Sequence, residues 1–187
     1  MTRDWPAARA VLERIDPAPF RVVGGYHASL APRDVAACDA VDAIGIGDGE
    51  RPLARVLAGG PPRASIPGLW VRSPSGTFDG DPPPPDPEPD IARLPHYDYE
   101  VFGDVGAMLD RGVNTFGPLA DRSLPTRASR GCPYRCAYCS APAWGRVAGH
   151  AGAARNVRPV AHLCEELAAL RDRHAPEGFE LCDQHFP

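Results

Sequence analysis

The 187-residue chain contains no apolar run long enough to span a bilayer, which takes about 20 consecutive residues as a helix. Its first residues, MTRDWPAARAVLERID, are charged and hold no apolar h-region, so they do not read as a secretory signal. Positive charge is not in excess. The formal net charge is −4, which argues against a nucleic-acid partner. No internal repeat is visible, so a solenoid is not expected. With no signal and no span, the expected compartment is the reducing cytoplasm. Clustered cysteines there read as metal or redox ligands more often than as disulfides.

Length and composition allow one domain of ordinary size or parts of two, and a 43% apolar content is enough for a core. Proline and glycine together make 42 of 187 residues, near the level at which irregular segments are expected. Residues 5 to 15 read as a short helix with Ala7, Ala8, Val11, Leu12 and Ile15 on its apolar stripe, stopped by Pro17 and Pro19. FRVVGG (20–25) reads as a strand entering a glycine turn, and Ser29 or Asp34 is expected to cap a helix running toward Cys38. VDAIGIGDGE (41–50) reads as a second strand and glycine turn, with Pro52 in the first turn of a helix over 52–58. This is an open α/β pattern, whose ligands bind beyond the carboxyl ends of the strands.

IPGLWVRSPSGTF (66–78) reads as a hairpin with a Ser-Gly turn. DGDPPPPDPEPD (79–90) reads as an extended, acidic, solvated spacer. Beyond it, 124–129 is a candidate strand. Residues 157–174 form an amphipathic helix with Val160, Leu163, Cys164, Leu167 and Leu170 on one face, and FELC (179–182) begins another strand. Cys164 on that apolar face, Cys38 and Cys182 are expected to be small buried hydrophobes. The expected organisation is an α/β segment at 1–60, a hairpin and proline-rich interdomain linker at 61–123, and a βαβ unit at 124–187.

The chemistry is concentrated in SRGCPYRCAYCSAPAWGR (129–146), where Cys132, Cys136 and Cys139 follow the spacing C-x3-C-x2-C. One tight loop of three thiolates suits one corner of an iron–sulfur cluster and leaves one iron without a protein ligand. Arg122, Arg127, Arg130 and Arg135 make the approach basic, which favours thiolates and an anionic cluster. The competing reading is a closed zinc site with His150, Cys164 or Cys182 as fourth ligand. Zinc modules usually use two separated ligand pairs rather than one loop.

Those three cysteines, with aromatic Tyr138 before the last, resemble the radical S-adenosylmethionine (radical SAM) signature. RVVGGYHAS and DAIGIGDGE resemble the end of the cobalamin-binding domain that precedes the radical domain in one subgroup. IPGLWVR, the proline-rich stretch and LPHYDYE resemble that subgroup's interdomain segment, and DQHF follows in the same order. The resemblance implies an α/β fold: the C-terminal remnant of a Rossmann-like cobalamin-binding domain, then the first βα unit of a radical SAM partial (β/α) barrel. It implies a [4Fe–4S] cluster on Cys132, Cys136 and Cys139, and S-adenosyl-L-methionine chelated to the free iron. Reductive cleavage of that molecule would start methylation or rearrangement of an unactivated carbon. Tyr138 would lie near the adenine, and Asp183, with Gln184 and Phe186, near the amino group. Gly24, Gly25, His27 and the turn Gly47, Asp48, Gly49, Glu50 would approach cobalamin as a further cofactor. An electron donor such as a flavodoxin or ferredoxin and a small-molecule or peptide substrate complete the expected partners.

The chain departs from that pattern at both ends. The first strands of the cobalamin domain are missing, and no Asp-x-His-x-x-Gly segment supplies a lower axial histidine. Only 48 residues follow Cys139, against about 250 for a full (β/α)₈ barrel. The sequence therefore reads as truncated at both ends, with an inactive or zinc-binding remnant as the alternative function. Taken alone, His27 reads as a surface histidine, and Glu50 equally as a cap of the next helix or a cofactor contact.

Overall fold

A computed structural model describes residues 4–17, 19–87, 90–111, 122–148 and 156–185. The described residues are mixed α/β with three small sheets. It gathers into two compact units, Met1–Glu88 with Tyr134–Ala153, and Pro89–Pro133 with Ala154–Pro187. No helix among the described residues is long and apolar enough to cross a membrane.

The first unit is built on a three-stranded sheet. Strand β1 (Val22–Val23) pairs in parallel with β2 (Ala43–Gly45), and β2 pairs antiparallel with β3 (Leu69–Val71). The helices are α1 (Trp5–Leu12), α2 (Tyr26–Leu30), α3 (Pro32–Ala36) and α4 (Glu50–Gly59). Alternation along β2 decides which side chain faces which layer. Ile44 points into a core with Trp5, Ala28, Val35, Cys38, Val41, Ile46 and Trp70. Ala43 points to the opposite face, with Leu69, Val71, Phe20, Val22, Val56 and Ile66. Both faces of the central strand are therefore buried, and Cys38 sits among the apolar residues as its sequence suggests.

Three sequence expectations fail here for identifiable reasons. Helix α1 ends at Leu12, and its Val11 and Ile15 flank are exposed, because the helix is anchored through Trp5 instead. The single helix toward Cys38 is broken into α2 and α3 by Pro32; Ser29 is buried inside α2, and Asp34 reaches back to His27. The 66–78 hairpin is a sheet strand followed by a tight turn, in which Ser73 N–H donates to Thr77 O at 2.7 Å. Arg72 closes this region by donating to the carbonyls of Val41, Cys38 and Gly76 at 2.7 to 2.8 Å.

The acidic proline stretch is not a free spacer over its described part. Trp70 Nε1 donates to Asp79 O at 3.0 Å, and Gly68 N–H to Pro84 O at 2.7 Å. Arg33 pairs with Asp81 at 2.7 Å, and Arg55 and Arg51 reach Asp86 at 2.6 and 3.5 Å. Three arginines thus answer a local acidic excess, and proline's lack of an N–H donor suits a segment held at one side only. The stretch is a strap on the first unit.

In the second unit, β4 (Ser123–Thr126) pairs in parallel with β7 (Gly178–Leu181), from Ser123↔Gly178 to Thr126↔Leu181. Parallel strands need a long crossover, which here carries β5 (Ser129–Arg130), α6 (Ala141–Val147), β6 (Asn156–Val157) and α7 (Val160–His174). Tyr99, Leu124 and Leu170 form the core with Val105 and Leu109 of α5 (Val105–Asp110). The approach to this unit is held by aspartate caps: Asp90, Asp98 and Asp104 accept from Ala92, Glu100 and Ala107 N–H groups at 3.0 to 3.1 Å.

The βαβ order matches the sequence pattern, but α7 turns a different face inward. Cys164 is exposed and Val160 is 76% exposed, so the expected burial of Cys164 is wrong. The inner stripe is Leu163, Glu166, Leu167 and Leu170, spaced for one helix face, with Glu166 and Leu170 buried on it. Cys182 is only half-buried, because it lies just past the end of β7.

Helix α7 ends at Ala175, whose φ of 46° lies in the left-handed region that disfavours a Cβ. Ala175→Gly is expected to raise stability by about 0.5–1 kcal/mol, read as a higher urea midpoint with an unchanged slope. An unchanged or lower midpoint would mean that the cap carries no strain.

Candidate functional site

The loop that carries the three thiols starts from a closed base within the second unit. Strand β5 pairs antiparallel with β6, Ser129 opposite Val157 and Arg130 opposite Asn156. Arg158 N–H then donates to Ala128 O at 2.9 Å. Asp183, just past the end of β7, takes Ala128 N–H on Oδ2 at 3.0 Å and the Ser129 hydroxyl on Oδ1 at 2.5 Å. The loop therefore emerges at the carboxyl ends of two parallel strands, where α/β sheets place their chemistry.

Gly131, with φ 89°, turns the chain out of β5 into Cys132, which is half-buried. Cys136 and Cys139 are exposed and share one turn, in which Cys139 N–H donates to Cys136 O at 3.1 Å. Ala141 N–H donates to Cys139 Sγ at 3.4 Å, a bond that favours sulfur as an anionic ligand. Tyr138 is 94% exposed, so its ring has no packing role among the described residues. Of the surrounding arginines, Arg122 is engaged with Asp110 and Glu177.

Among the described residues, no three His, Cys, Asp or Glu side chains stand close enough to hold a metal ion. By donor chemistry, three thiols in one loop fit a soft thiophilic centre such as an iron–sulfur cluster. Of the fourth zinc ligands considered from sequence, Cys164 is exposed on α7 and Cys182 directs its Sγ to Glu180 O at 3.6 Å. His150 lies outside the described residues, as does Phe186.

In the first unit, both glycine turns lie at the carboxyl ends of the parallel pair β1 and β2, but they differ in kind. A Cβ at Gly24 or Gly25 would meet nothing within 4 Å, so the backbone is open to a ligand there. Gly25, with φ 90°, caps α2. A Cβ at Gly47 would fall 2.8 Å from Pro85 and 3.3 Å from Ala148, so strap and helix fill that position. Gly47 N–H donates to Ser29 Oγ at 3.0 Å. Gly49 caps α4, and Glu50 is its first residue, where a carboxylate complements the helix dipole. His27 Nε2 lies 3.0 Å from Asp34 Oδ2 and its ring is 5.5 Å from that of Trp5, which makes it part of the packing between α1, α2 and α3.

Helix α6, which follows Cys139 directly, belongs to this first unit. Trp144 stacks on Tyr26 with ring centroids 4.2 Å apart, Val147 packs against the core, and Ala148 is buried. The limb carrying Cys136 and Cys139 is thus anchored beside the open turn at Gly24 and Gly25.

Sequence reasoning missed the polar network under the loop. Arg158 Nη2 donates to Glu166 Oε2 at 2.5 Å, and the Thr126 hydroxyl to Glu166 Oε1 at 3.1 Å. The available signal was Glu166 itself, a glutamate at the position where the stripe of Leu163, Leu167 and Leu170 calls for an apolar residue. Such a residue needs a buried partner.

No protein-family model matches the chain. It is 28% identical to an uncharacterized methyltransferase of Pyrococcus horikoshii over 94% of its own length and 36% of the relative's. It is 29% identical to the 2-(S-pantetheinyl)-carbapenam-3-carboxylate methyltransferase of Streptantibioticus cattleyicolor, over 98% of its length and 26% of the relative's. Among solved structures it is similar in fold to the radical S-adenosylmethionine methyltransferase TsrM of Kitasatospora setae. In the complex with tryptophan substrate and the analogue aza-SAM, the TM-score is 0.62 at 22% identity, covering 97% of this chain and 33% of that one. In the complex with cobalamin and a [4Fe–4S] cluster, the TM-score is 0.54 at 19% identity, with coverages of 97% and 34%. The chain spans about a quarter to a third of the length of the proteins it matches.

The two glycine turns make opposite predictions. Gly47→Ala is expected to destabilise by about 1–3 kcal/mol through its positive φ and the contact with Pro85. Gly24→Ala is expected to leave the urea midpoint within about 0.5 kcal/mol of wild type. Equal losses in both variants would contradict the distinction between a filled and an open turn.

Proposed function

We propose that this chain is part of a cobalamin-domain-containing radical SAM methyltransferase of the cytoplasm. Residues 1–60 are read as the end of a Rossmann-like cobalamin-binding domain, and 124–187, with β4, α7 and β7, as the opening βα unit of a partial barrel. The observation that carries the reading is the three-thiol loop, rooted on a closed base at the carboxyl ends of a parallel strand pair. Similarity of nearly the whole of this chain to part of two methyltransferases favours methyl transfer over other outcomes.

In this reading Cys132, Cys136 and Cys139 hold a [4Fe–4S] cluster as thiolates. When bound, that cluster supplies the electron that cleaves S-adenosyl-L-methionine, delivered by a donor such as a flavodoxin or ferredoxin. The chain's own contributions are positional. Ala141 N–H stabilises negative charge on Cys139 Sγ. The exposed ring of Tyr138 is available to cover the adenine. Asp183 has two of its roughly four lone-pair positions filled by Ala128 and Ser129, leaving acceptors for the substrate's ammonium group. Gly24 and Gly25 offer the open backbone for cobalamin, while His27 is engaged with Asp34 and Trp5 and is not assigned to cobalt.

Anaerobic reconstitution with iron and sulfide tests the reading. The wild type should take up about four irons and four sulfides per chain, with a broad visible charge-transfer band. Cys136→Ala should lose nearly all of both. One tightly held zinc and no cluster in the wild type would instead establish the zinc-binding remnant.

A further inference from the structure

Beneath the cysteine loop lies a buried charged pair that contributes no thiol and touches no glycine turn. Arg158 is 8% exposed, and each arm of its guanidinium has a partner. Nη1 donates to Arg127 O at 3.2 Å, Nε to His162 Nδ1 at 3.1 Å, and Nη2 to Glu166 Oε2 at 2.5 Å. Glu166 is 1% exposed and also accepts from Thr126 at the end of β4. Set against a well-packed apolar replacement, a buried ion pair contributes little net stability. Folding alone is therefore a poor account of it.

The placement of its bonds gives a better one. The side chain of Arg158 holds Arg127 O, its backbone N–H holds Ala128 O, and Asp183 holds Ala128 N–H and the Ser129 hydroxyl. Every one of these contacts falls on the short limb that leads from β4 to Cys132. The geometry points to Arg158 and Glu166 as positioning residues for the cysteine loop. Glu166 fixes the guanidinium, the guanidinium fixes the carbonyl of Arg127, and the limb then delivers Cys132 from a rigid base. This rests on the loop being the cluster-holding element, and it names what sets the geometry of its first thiol.

The test separates positioning from folding in the full chain. The triple variant Thr126→Val, Arg158→Met, Glu166→Leu replaces the network by apolar side chains of similar size and removes the hold on Arg127. Arg158→Lys keeps the charge opposite Glu166 but cannot bridge Glu166 and Arg127 together, and it carries the test if the triple variant does not fold. Hydrogen–deuterium exchange of residues 127–132 is read beside the melting temperature and the iron content after reconstitution. The expected result is a near-wild-type melt for the triple variant, with exchange at 127–132 about tenfold faster in either variant and cluster content reduced. Wild-type exchange in a folded variant would overturn the inference. If the wild type takes up no cluster, the proposed function fails, yet the exchange comparison still decides whether the pair holds the limb.

Discussion

The parallel pairing of β4 with β7 is the constraint on which the functional half of this molecule depends. Two parallel neighbours cannot be joined by a tight turn, so the chain must leave the end of β4, travel back along the sheet, and re-enter at Gly178. That obligatory excursion is where the cysteine loop and α7 are accommodated. It also places the end of β4, the departure toward Cys132, and Asp183 beyond β7 on one edge. Because both strands end there, the backbone groups that have left the ladder need other partners. Asp183 and Arg158 supply them, and their bonds fall on the limb that approaches the first thiol.

A related logic governs the first unit with different materials. Its central strand is buried on both faces, so its polar backbone is answered within the sheet. At Gly47 the unit fills its own space: Pro85 of the strap lies closer than a side chain would allow, and Ala148 beyond α6 is tight against the same position. At Gly24 and Gly25 the space is left open. The two glycine turns thus differ: the position of a side chain at Gly47 is filled from within the unit, while at Gly24 and Gly25 it is open. The strap accounts for the acidic charge of residues 79–86, because its aspartates are matched to Arg33, Arg51 and Arg55 across long sequence separations.

What could be read from sequence was what is local. The order of strands and glycine turns, the crossover helix and the return strand are properties of short windows, and they agree with the structure. Tertiary partners decided the rest. Val11 looks like a core residue of α1 until Trp5 is seen to take that role, and the proline stretch looks solvated until its arginines are located. Cys164 is exposed where burial was expected, because a helix stripe read from apolar residues alone cannot anticipate that the inner face carries a buried carboxylate, Glu166, satisfied by Thr126 and Arg158. The chain is similar over nearly its whole length to about a quarter to a third of longer methyltransferases.

Three thiolate ligands leave one iron of a cubane without a protein donor, and the reading of this loop stands on that vacancy being used. The direct measurement is electron–nuclear double resonance on the reduced, reconstituted protein with S-adenosylmethionine isotopically labelled at its amino nitrogen. A hyperfine coupling from the label to the cluster is the expected result and would place the amino group on the open iron. A fully loaded, reduced cluster that shows no coupling to the label at saturating S-adenosylmethionine would contradict it.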